Sequence, residues 1–336
     1  MNFIQDVKDQ LQKSGELPFE EMALALFRFQ ATQNPLYASY LKHLRVKIDD
    51  IRTLAQIPFL PISFFKHHAV KTGHFIPETT FLSSGTTQQN RSQHQVADLG
   101  FYLQHTVRIF TRFYGSLRQY VFIALLPSYQ EQGQSSLIRM VEHFMRESGQ
   151  EELYFFRQNG SGIYQALQRA REAKRQVMLI GVTYALLDLA AELTEGEREM
   201  YSDVIVMETG GMKGRREELV RAAVHTELQA AFGISAVHSE YGMTELLSQA
   251  YSQGQGIFRS PPAMRILFRD PNDPLSGEEG RASGGINVID LANVQTCAFI
   301  ETQDLGRRHP DGSFEILGRF DNSDLRGCSL LMGGQG

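Results

Sequence analysis

A stretch rich in hydroxyl groups is the first set of residues that could do chemistry. Residues 81–91, FLSSGTTQQNR, place Ser84, Thr86 and Thr87 around Gly85, with Arg91 shortly after. Hydroxyls and backbone amides beside a glycine can converge on one anion, and an arginine adds a charge that reaches phosphate oxygens. The stretch does not match the GxxxxGK[ST] pattern of P-loop enzymes. It therefore predicts phosphate binding, and a polar turn between elements explains it equally well.

A second motif combines an aromatic ring, a glycine, a hydroxyl and a carboxylate. Residues 238–245 are HSEYGMTE. Tyr241 can stack on a base, Thr244 can bond a phosphate oxygen, and Glu245 can hold Mg²⁺, with Gly242 between them. An equally good interpretation is a strand-to-helix turn in which Thr244 and Glu245 serve the helix N-terminus.

Two further motifs place glycines and charged groups at turns. Gly210 and Gly211 follow the β-prone segment 203–207, and a glycine pair at the carboxyl end of a parallel strand lets a flat ligand approach the backbone. Asp304 can accept hydrogen bonds from both hydroxyls of a ribose, and Arg319 can donate to the same sugar. Taken alone, a tight turn and a surface arginine are the more common explanations of such residues.

The order of these motifs resembles that of the adenylate-forming enzymes, the acyl-CoA synthetase superfamily. The likeness is carried by the segments FLSSGTT, LLPSYQEQGQSSLIRMVEHF, METGGMKGRREELVR, HSEYGMTELLSQAYS, FIETQDLG and GRFDNSDLRGCSL. These segments are similar to one branch, the acyl-protein synthetases, which are the LuxE-type fatty acid–protein ligases of bacterial luminescence. The resemblance extends from FRFQATQNPLYASYL near the N-terminus to the end of the sequence.

This resemblance implies that ATP, with Mg²⁺, activates a carboxylic acid, here a fatty acid, as an acyl-adenylate and releases pyrophosphate. The implied roles follow the motifs: Ser84, Gly85, Thr86 and Thr87 for the β- and γ-phosphates, Gly210 and Gly211 for the adenine and the acyl pocket, Tyr241 and Gly242 for the adenine, Thr244 and Glu245 for the α-phosphate and Mg²⁺, and Asp304 and Arg319 for the ribose. Arg91 stands where the phosphate loop of the family usually has a lysine, and it would supply the same positive charge. An acyl reductase, an acyltransferase or a carrier protein is the implied partner.

The C-terminal end departs from the larger superfamily. No lysine follows Lys213, so we expect the chain to lack the usual C-terminal lid domain and its catalytic lysine. Cys328 lies in the triplet RGC, where the resemblance places the cysteine that takes the acyl group as a thioester. A thiolate near Arg319 and Arg326 would be an activated nucleophile. The alternative is a small buried hydrophobic residue, which is what we expect of Cys297.

Three functions stay open at this stage. The first is an ATP-dependent ligase that transfers the acyl group to a protein thiol, with Cys328 as the acceptor. The second is the same activation with transfer to coenzyme A or a carrier protein. The third is a non-catalytic protein that binds a nucleotide or an acyl group in an acyl-transfer complex.

The composition excludes other classes of function. The chain has 336 residues, with 33 Lys and Arg against 38 Asp and Glu, for a formal net charge of −5. A mildly acidic chain without a basic run is not expected to bind nucleic acid. Its N-terminus lacks the unbroken apolar core of a signal peptide, and no apolar stretch is long enough to span a bilayer. Two cysteines predict no disulfide framework, and we expect a cytoplasmic protein.

The elements that must position these motifs alternate over most of the chain. Apolar periodicity predicts helices within 3–46, where Pro35 ends one run, and over 97–115, 136–147, 162–175 and 214–232. Strands are predicted at 121–126, 176–181 and 203–207. From about residue 262, short strands separated by Gly, Pro, Asn and Asp turns predict an antiparallel sheet or small barrel.

This alternation predicts an α/β fold with a mostly parallel sheet and flanking helices. With the resemblance, it indicates the large N-terminal-type domain of the adenylate-forming enzymes, with a small antiparallel β subdomain. We place a boundary near residue 260. Residues 1–260 are then the core with its N-terminal helices, and residues 261–336 are a β-rich unit that ends in a hinge-like motif and a short tail.

Overall fold

The computed structural model describes residues 3–13, 15–83, 91–126, 134–156, 161–210, 220–271 and 281–319. Its helices are α1 (Phe3–Gln12), α2 (Phe19–Gln33), α3 (Pro35–His43), α4 (Phe64–His67), α5 (Leu99–Tyr114), α6 (Ser136–Glu147), α7 (Ser161–Glu172), α8 (Thr183–Glu192), α9 (Glu195–Arg198) and α10 (Arg221–Phe232). Its strands are β1 (Leu60–Pro61), β2 (Thr79–Leu82), β3 (Gln93–Val96), β4 (Tyr120–Leu125), β5 (Tyr154–Phe156), β6 (Gln176–Gly181), β7 (Ile205–Glu208), β8 (His238–Tyr241), β9 (Ala250–Ser252), β10 (Ile257–Phe258), β11 (Met264–Arg269), β12 (Ser283–Asp290), β13 (Phe299–Arg308) and β14 (Phe314–Arg319).

The first large sheet has the strand order β5-β4-β6-β7-β8-β9. Pairing is parallel from β5 to β8, and β9 runs antiparallel to β8. All six residues of β4 are buried, as expected of a central strand that helices cover on both faces. The predicted alternation of strands and helices is confirmed, since α7 connects β5 to β6 and α8 lies between β6 and β7.

The second large sheet is antiparallel and has the order β10-β14-β13-β12-β11. Strand β1, from the N-terminal half, adds to β13 in parallel. The antiparallel sheet predicted beyond residue 262 is confirmed, and strands from earlier in the chain complete it. Strands β2 and β3 form a separate hairpin.

The N-terminal helices pack on the second sheet through buried polar groups. The Gln30 amide donates to the carbonyl of Asn293 at 2.9 Å, and its oxygen accepts from the Ala298 N–H at 2.9 Å. Pro35 follows the end of α2 and is also the first residue of α3, because proline suits the N1 position and the Asn34 side chain caps the helix. The predicted helical region is thus three helices.

The two large sheets meet at Asp290, which is fully buried at the end of β12. Its carboxylate accepts from the backbone N–H groups of Leu247 and Ser248, both at 2.9 Å, and from the Ser248 hydroxyl at 2.6 Å. These bonds fix the segment between β8 and β9 against the second sheet. Among the helices that the structure describes, none is long and apolar enough to cross a membrane.

Candidate active site

A cavity of about 190 Å³ lies where the parallel strands of the first sheet end. Its walls include Leu126 after β4, Val182 after β6, Thr209 and Gly210 after β7, and the end of β8. Ligands of open α/β sheets bind at the carboxyl ends of parallel strands. The position of the cavity therefore agrees with a ligand site.

Three of the residues that the sequence analysis selected border this cavity: Gly210, Gly242 and Thr244. A larger hollow of about 910 Å³ is bordered by Arg221, His225 and the segment 253–257. None of the selected residues that the structure describes borders this hollow. We therefore take the smaller cavity as the centre of the candidate site.

The turn after β7 depends on a buried carboxylate. Gly210 has a φ of 74°, a left-handed conformation that glycine adopts without strain. Its N–H donates to Oε2 of Glu208 at 2.7 Å, and the Thr183 hydroxyl donates to the same oxygen at 3.2 Å. Glu208 thus holds the turn over the end of its own strand.

Glu208 is ionised and compensated, although it is only 2% exposed. Nε of Arg221, at the start of α10, lies 2.9 Å from Oε1 of Glu208, and Nε2 of His225 lies 3.7 Å from the same atom. Burial alone would raise the pKa of Glu208. The charge of Arg221, with the nearby His225 and Ser239 side chains and the hydrogen bond from the Gly210 N–H, outweighs burial and lowers the pKa of Glu208 to about 2.

The two motifs predicted to bind adenine and ribose meet in the folded chain. The Tyr241 hydroxyl donates to Oδ2 of Asp304 at 2.8 Å, and Nε of Arg319 lies 3.3 Å from Oδ1 of the same carboxylate. Asp304 and Arg319 are cross-strand partners in β13 and β14. The Tyr241 ring packs edge-on against Phe258 and Phe314. Tyr241 and Asp304 are buried, whereas the Arg319 side chain is 69% exposed and can reach a ligand.

The hairpin of β2 and β3 approaches the segment after β8. Nδ1 of His94 in β3 lies 2.8 Å from the Thr244 carbonyl, and its Nε2 lies 3.0 Å from the Thr296 hydroxyl. Burial lowers the pKa of His94 to about 4, so the ring is neutral at pH 7 and donates from one nitrogen. This bond fixes the backbone that carries Thr244.

Glu245 lies beside the base of the same hairpin and is 5% exposed. Burial raises the pKa of its carboxyl group, against hydrogen bonding from Ser92 and the charges of Arg319 and Lys66. No cluster of three or more metal-ligating side chains occurs among the described residues. A single carboxylate fits the mode in which Mg²⁺ is held by one carboxylate and by substrate phosphates.

The remaining selected residues divide into two groups. Arg91 directly precedes Ser92, whose N–H donates to the Ser83 hydroxyl at 2.9 Å, so Arg91 lies at the base of the hairpin. The others lie outside the described residues: Ser84, Gly85, Thr86, Thr87, Gly211 and Cys328. The interpretation of Thr244 and Glu245 as a helix N-terminus is wrong, because a turn without a helix connects β8 to β9.

Sequence reasoning missed four buried polar residues at this site, namely Glu208, Glu240, His94 and Asp290. Two of them lay inside quoted motifs, where a charged residue next to an apolar strand was an available signal. The partners of His94 and Asp290 are 150 and 42 residues away along the chain, so no local pattern could identify them.

Comparison with known proteins gives a fold-level result. No protein-family model and no curated protein matches the chain. Among solved structures, ATP-bound MatB from Rhodopseudomonas palustris aligns with a TM-score of 0.52 and 17% identity, over 71% of this chain and 47% of that one. An ATP-bound RpMatB–BxBclM chimera aligns with a TM-score of 0.52 and 18% identity, over 71% of this chain and 47% of that one. O-succinylbenzoate coenzyme A synthetase (MenE) from Bacillus subtilis, in complex with AMP, aligns with a TM-score of 0.49 and 15% identity. The alignment covers 74% of this chain and 50% of that one.

The chain thus resembles the N-terminal domain of adenylate-forming enzymes in its α/β fold. The aligned part spans about half the length of these structures, at 47% of the two MatB chains. The predicted fold class is confirmed at this level.

Proposed function

We propose that the protein activates a carboxylic acid with ATP and transfers the acyl group to a cysteine thiol of a protein. The observation that carries this proposal is the convergence of separate motifs on one place. Gly210, Gly242 and Thr244 border a single cavity, and the Tyr241–Asp304–Arg319 cluster is continuous with it through the chain at Tyr241 and Gly242. The shared fold with ATP-bound MatB supports the same proposal.

In the first step, an oxygen of the acid's carboxylate attacks the α-phosphorus of ATP. The bond from that phosphorus to the bridging oxygen breaks, and pyrophosphate leaves. The Thr244 hydroxyl donates to an α-phosphate oxygen, and Asp304 and Arg319 hold the ribose. Mg²⁺, when bound at Glu245, neutralises charge on the phosphates.

In the second step, a cysteine sulfur attacks the acyl carbon of the adenylate. The bond between that carbon and the phosphate oxygen breaks, AMP leaves, and the thiol proton goes to solvent. The resemblance makes Cys328 the proposed acceptor. Transfer to coenzyme A or a carrier protein would use the same first step, so the acceptor needs its own assay.

The test is acid-dependent exchange of radiolabelled pyrophosphate into ATP, with a panel of carboxylic acids of different length and polarity. Thr244→Ala should lower the exchange rate about 100-fold, since one donor aimed at developing charge contributes about that much. Thr226→Ala is the matched control, because Thr226 is exposed on α10 and its hydroxyl bonds, among the described residues, only the Ala222 carbonyl. If none of the acids supports pyrophosphate exchange although the protein binds ATP, the proposal is refuted and a non-catalytic nucleotide-binding protein is favoured.

The acceptor is identified with a radiolabelled acid. An acyl thioester on Cys328 is supported if the protein becomes labelled and hydroxylamine releases the label. Cys328→Ser should then abolish the labelling without slowing pyrophosphate exchange. Label on coenzyme A would replace protein acylation with the second acceptor class.

A further inference from the structure

Glu240 presents to the cavity a carboxyl group that has no hydrogen-bond donor among the residues the structure describes. It is the third residue of β8, directly before Tyr241, and it is 7% exposed. Its side chain lies over Gly242, because a Cβ atom at Gly242 would fall 2.3 Å from Oε1 of Glu240. Glu240 borders the cavity, and among the described residues no group donates a hydrogen bond to it.

The groups near Glu240 are acidic or neutral. Tyr102 lies near it from α5 and Tyr251 from β9, whereas Glu208 of β7 acts on it from the opposite face of the sheet. Burial and then the charge of Glu208 raise the pKa of Glu240 to about 8. Arg221, a cation at this end of the sheet, is paired with Glu208. Within the described part of the chain, no positive charge compensates an ionised Glu240.

The rest of the wall is largely apolar, with a few hydroxyl and amide groups. Apolar side chains at the cavity are Leu82, Leu126, Leu137, Ile138, Met140, Val182 and Met243. Gln249 also borders it, and its Oε1 atom is buried without a donor. A hydrocarbon ligand would bury the Glu240 carboxyl group without a hydrogen bond, which is costly. A ligand that carries a hydrogen-bond donor and a positive charge would satisfy it.

We propose that Glu240 determines which acid is activated, and that the acyl group bound in this cavity carries an amine held by the Glu240 carboxylate. This inference rests on the proposed function. It departs from the long-chain fatty acid that the sequence resemblance implies.

The first experiment compares 5-aminopentanoate with hexanoate in the exchange assay, because the two acids differ only in an ammonium group in place of a methyl group. The wild-type protein should favour the amino acid at least about tenfold, the usual effect of a hydrogen bond to a charged group. Glu240→Gln keeps the shape of the neutral carboxyl group and should abolish this preference. Met140→Leu changes an apolar wall residue and should alter the rates with both acids by the same factor.

The second experiment measures binding of the same two acids by calorimetry, without nucleotide, in buffers of different ionisation enthalpy. At pH 7 the free Glu240 is mostly protonated, so binding of the amine should release a proton, and Glu240→Gln should release none. Equal binding of the two acids, failure of both to bind, or an unchanged preference in Glu240→Gln overturns the inference. A preference in binding without any exchange would support Glu240 and refute the proposed activation, so the two failures are distinguishable.

Discussion

Replacing Glu208 by Gln tests whether the turn at Gly210 is held by a buried charge. The pKa of this carboxyl group falls from 4.5 to about 2 in the folded protein. At 1.36 kcal/mol per pKa unit, the ionised carboxylate contributes about 3 kcal/mol to the free energy of unfolding at pH 7. This agrees with the range of about 3–5 kcal/mol for breaking a buried ion pair, since Glu208→Gln also leaves Arg221 without its counter-charge.

The pH dependence of this effect has a definite sign. Because the folded pKa is lower than the unfolded one, the contribution is fully present above pH 4.5 and is lost as the pH falls toward 2. The difference in unfolding free energy between wild type and Glu208→Gln should therefore shrink from about 3 kcal/mol at pH 7 to about 1 kcal/mol at pH 3. Carboxyl groups that do not interact with Glu208 titrate alike in both proteins and cancel in the difference.

Urea denaturation followed by circular dichroism at pH 7 and pH 3 measures this difference. Glu152→Gln is the matched control, because Glu152 forms a salt bridge with Arg169 in which both side chains are more than half exposed. It should change stability little at either pH. A Glu208→Gln protein as stable as wild type at pH 7, or a loss that is equal at both pH values, would refute the reasoning.

Two further predictions concern residues that hold the site in place. Tyr241→Phe removes the hydroxyl that donates to Asp304 at 2.8 Å, so the KM for ATP in the exchange assay should rise about fivefold with kcat nearly unchanged; a fall in kcat alone would contradict this role. His94→Gln should flatten the loss of stability between pH 6.5 and pH 4, because unfolding allows the wild-type ring to take up a proton that the folded protein excludes. Urea denaturation at pH 7 and pH 4.5 checks this, and an equal acid-induced loss in variant and wild type would contradict it.

Local patterns were sufficient to predict most of the fold. The apolar run predicted at 121–126 is strand β4, Tyr120–Leu125, and the helix predicted at 136–147 is α6 with the same bounds. Both depend on short-range periodicity and on caps, such as the Ser135 hydroxyl that accepts from the Ile138 N–H. Proline was harder to interpret, because the residue that follows the end of one helix can also begin the next, as Pro35 does.

The candidate site was predictable only in part. The motifs at Gly210, Tyr241 and Asp304 were found as separate segments, and the sequence resemblance suggested that they act together. Their contacts depend on the crossing of the two large sheets, which no local pattern encodes. Buried polar partners such as His94 and Asp290 were missed for the same reason, since each bonds a group far along the chain. Such residues can be recognised only after the chain has folded around them.

Two buried glutamates at the ends of neighbouring strands have pKa values that are shifted in opposite directions. Glu208 pairs in register with Ser239, so Glu240, one residue further, projects from the opposite face of the sheet. On the face of the sheet that carries Glu208, α10 supplies Arg221 and His225, and the pKa of Glu208 falls to about 2.

On the other face, Tyr102 and Tyr251 supply no charge, and burial, together with the charge of Glu208, raises the pKa of Glu240 to about 8. Environments that push two carboxyl groups in opposite directions are typical of sites where the groups have different roles. Glu208 is paired with Arg221 and accepts hydrogen bonds from Thr183 and from the Gly210 N–H, and it therefore supports the Gly210 turn. Glu240 is left for a ligand, and this is why we assign the choice of acid to Glu240 and the support of the site to Glu208.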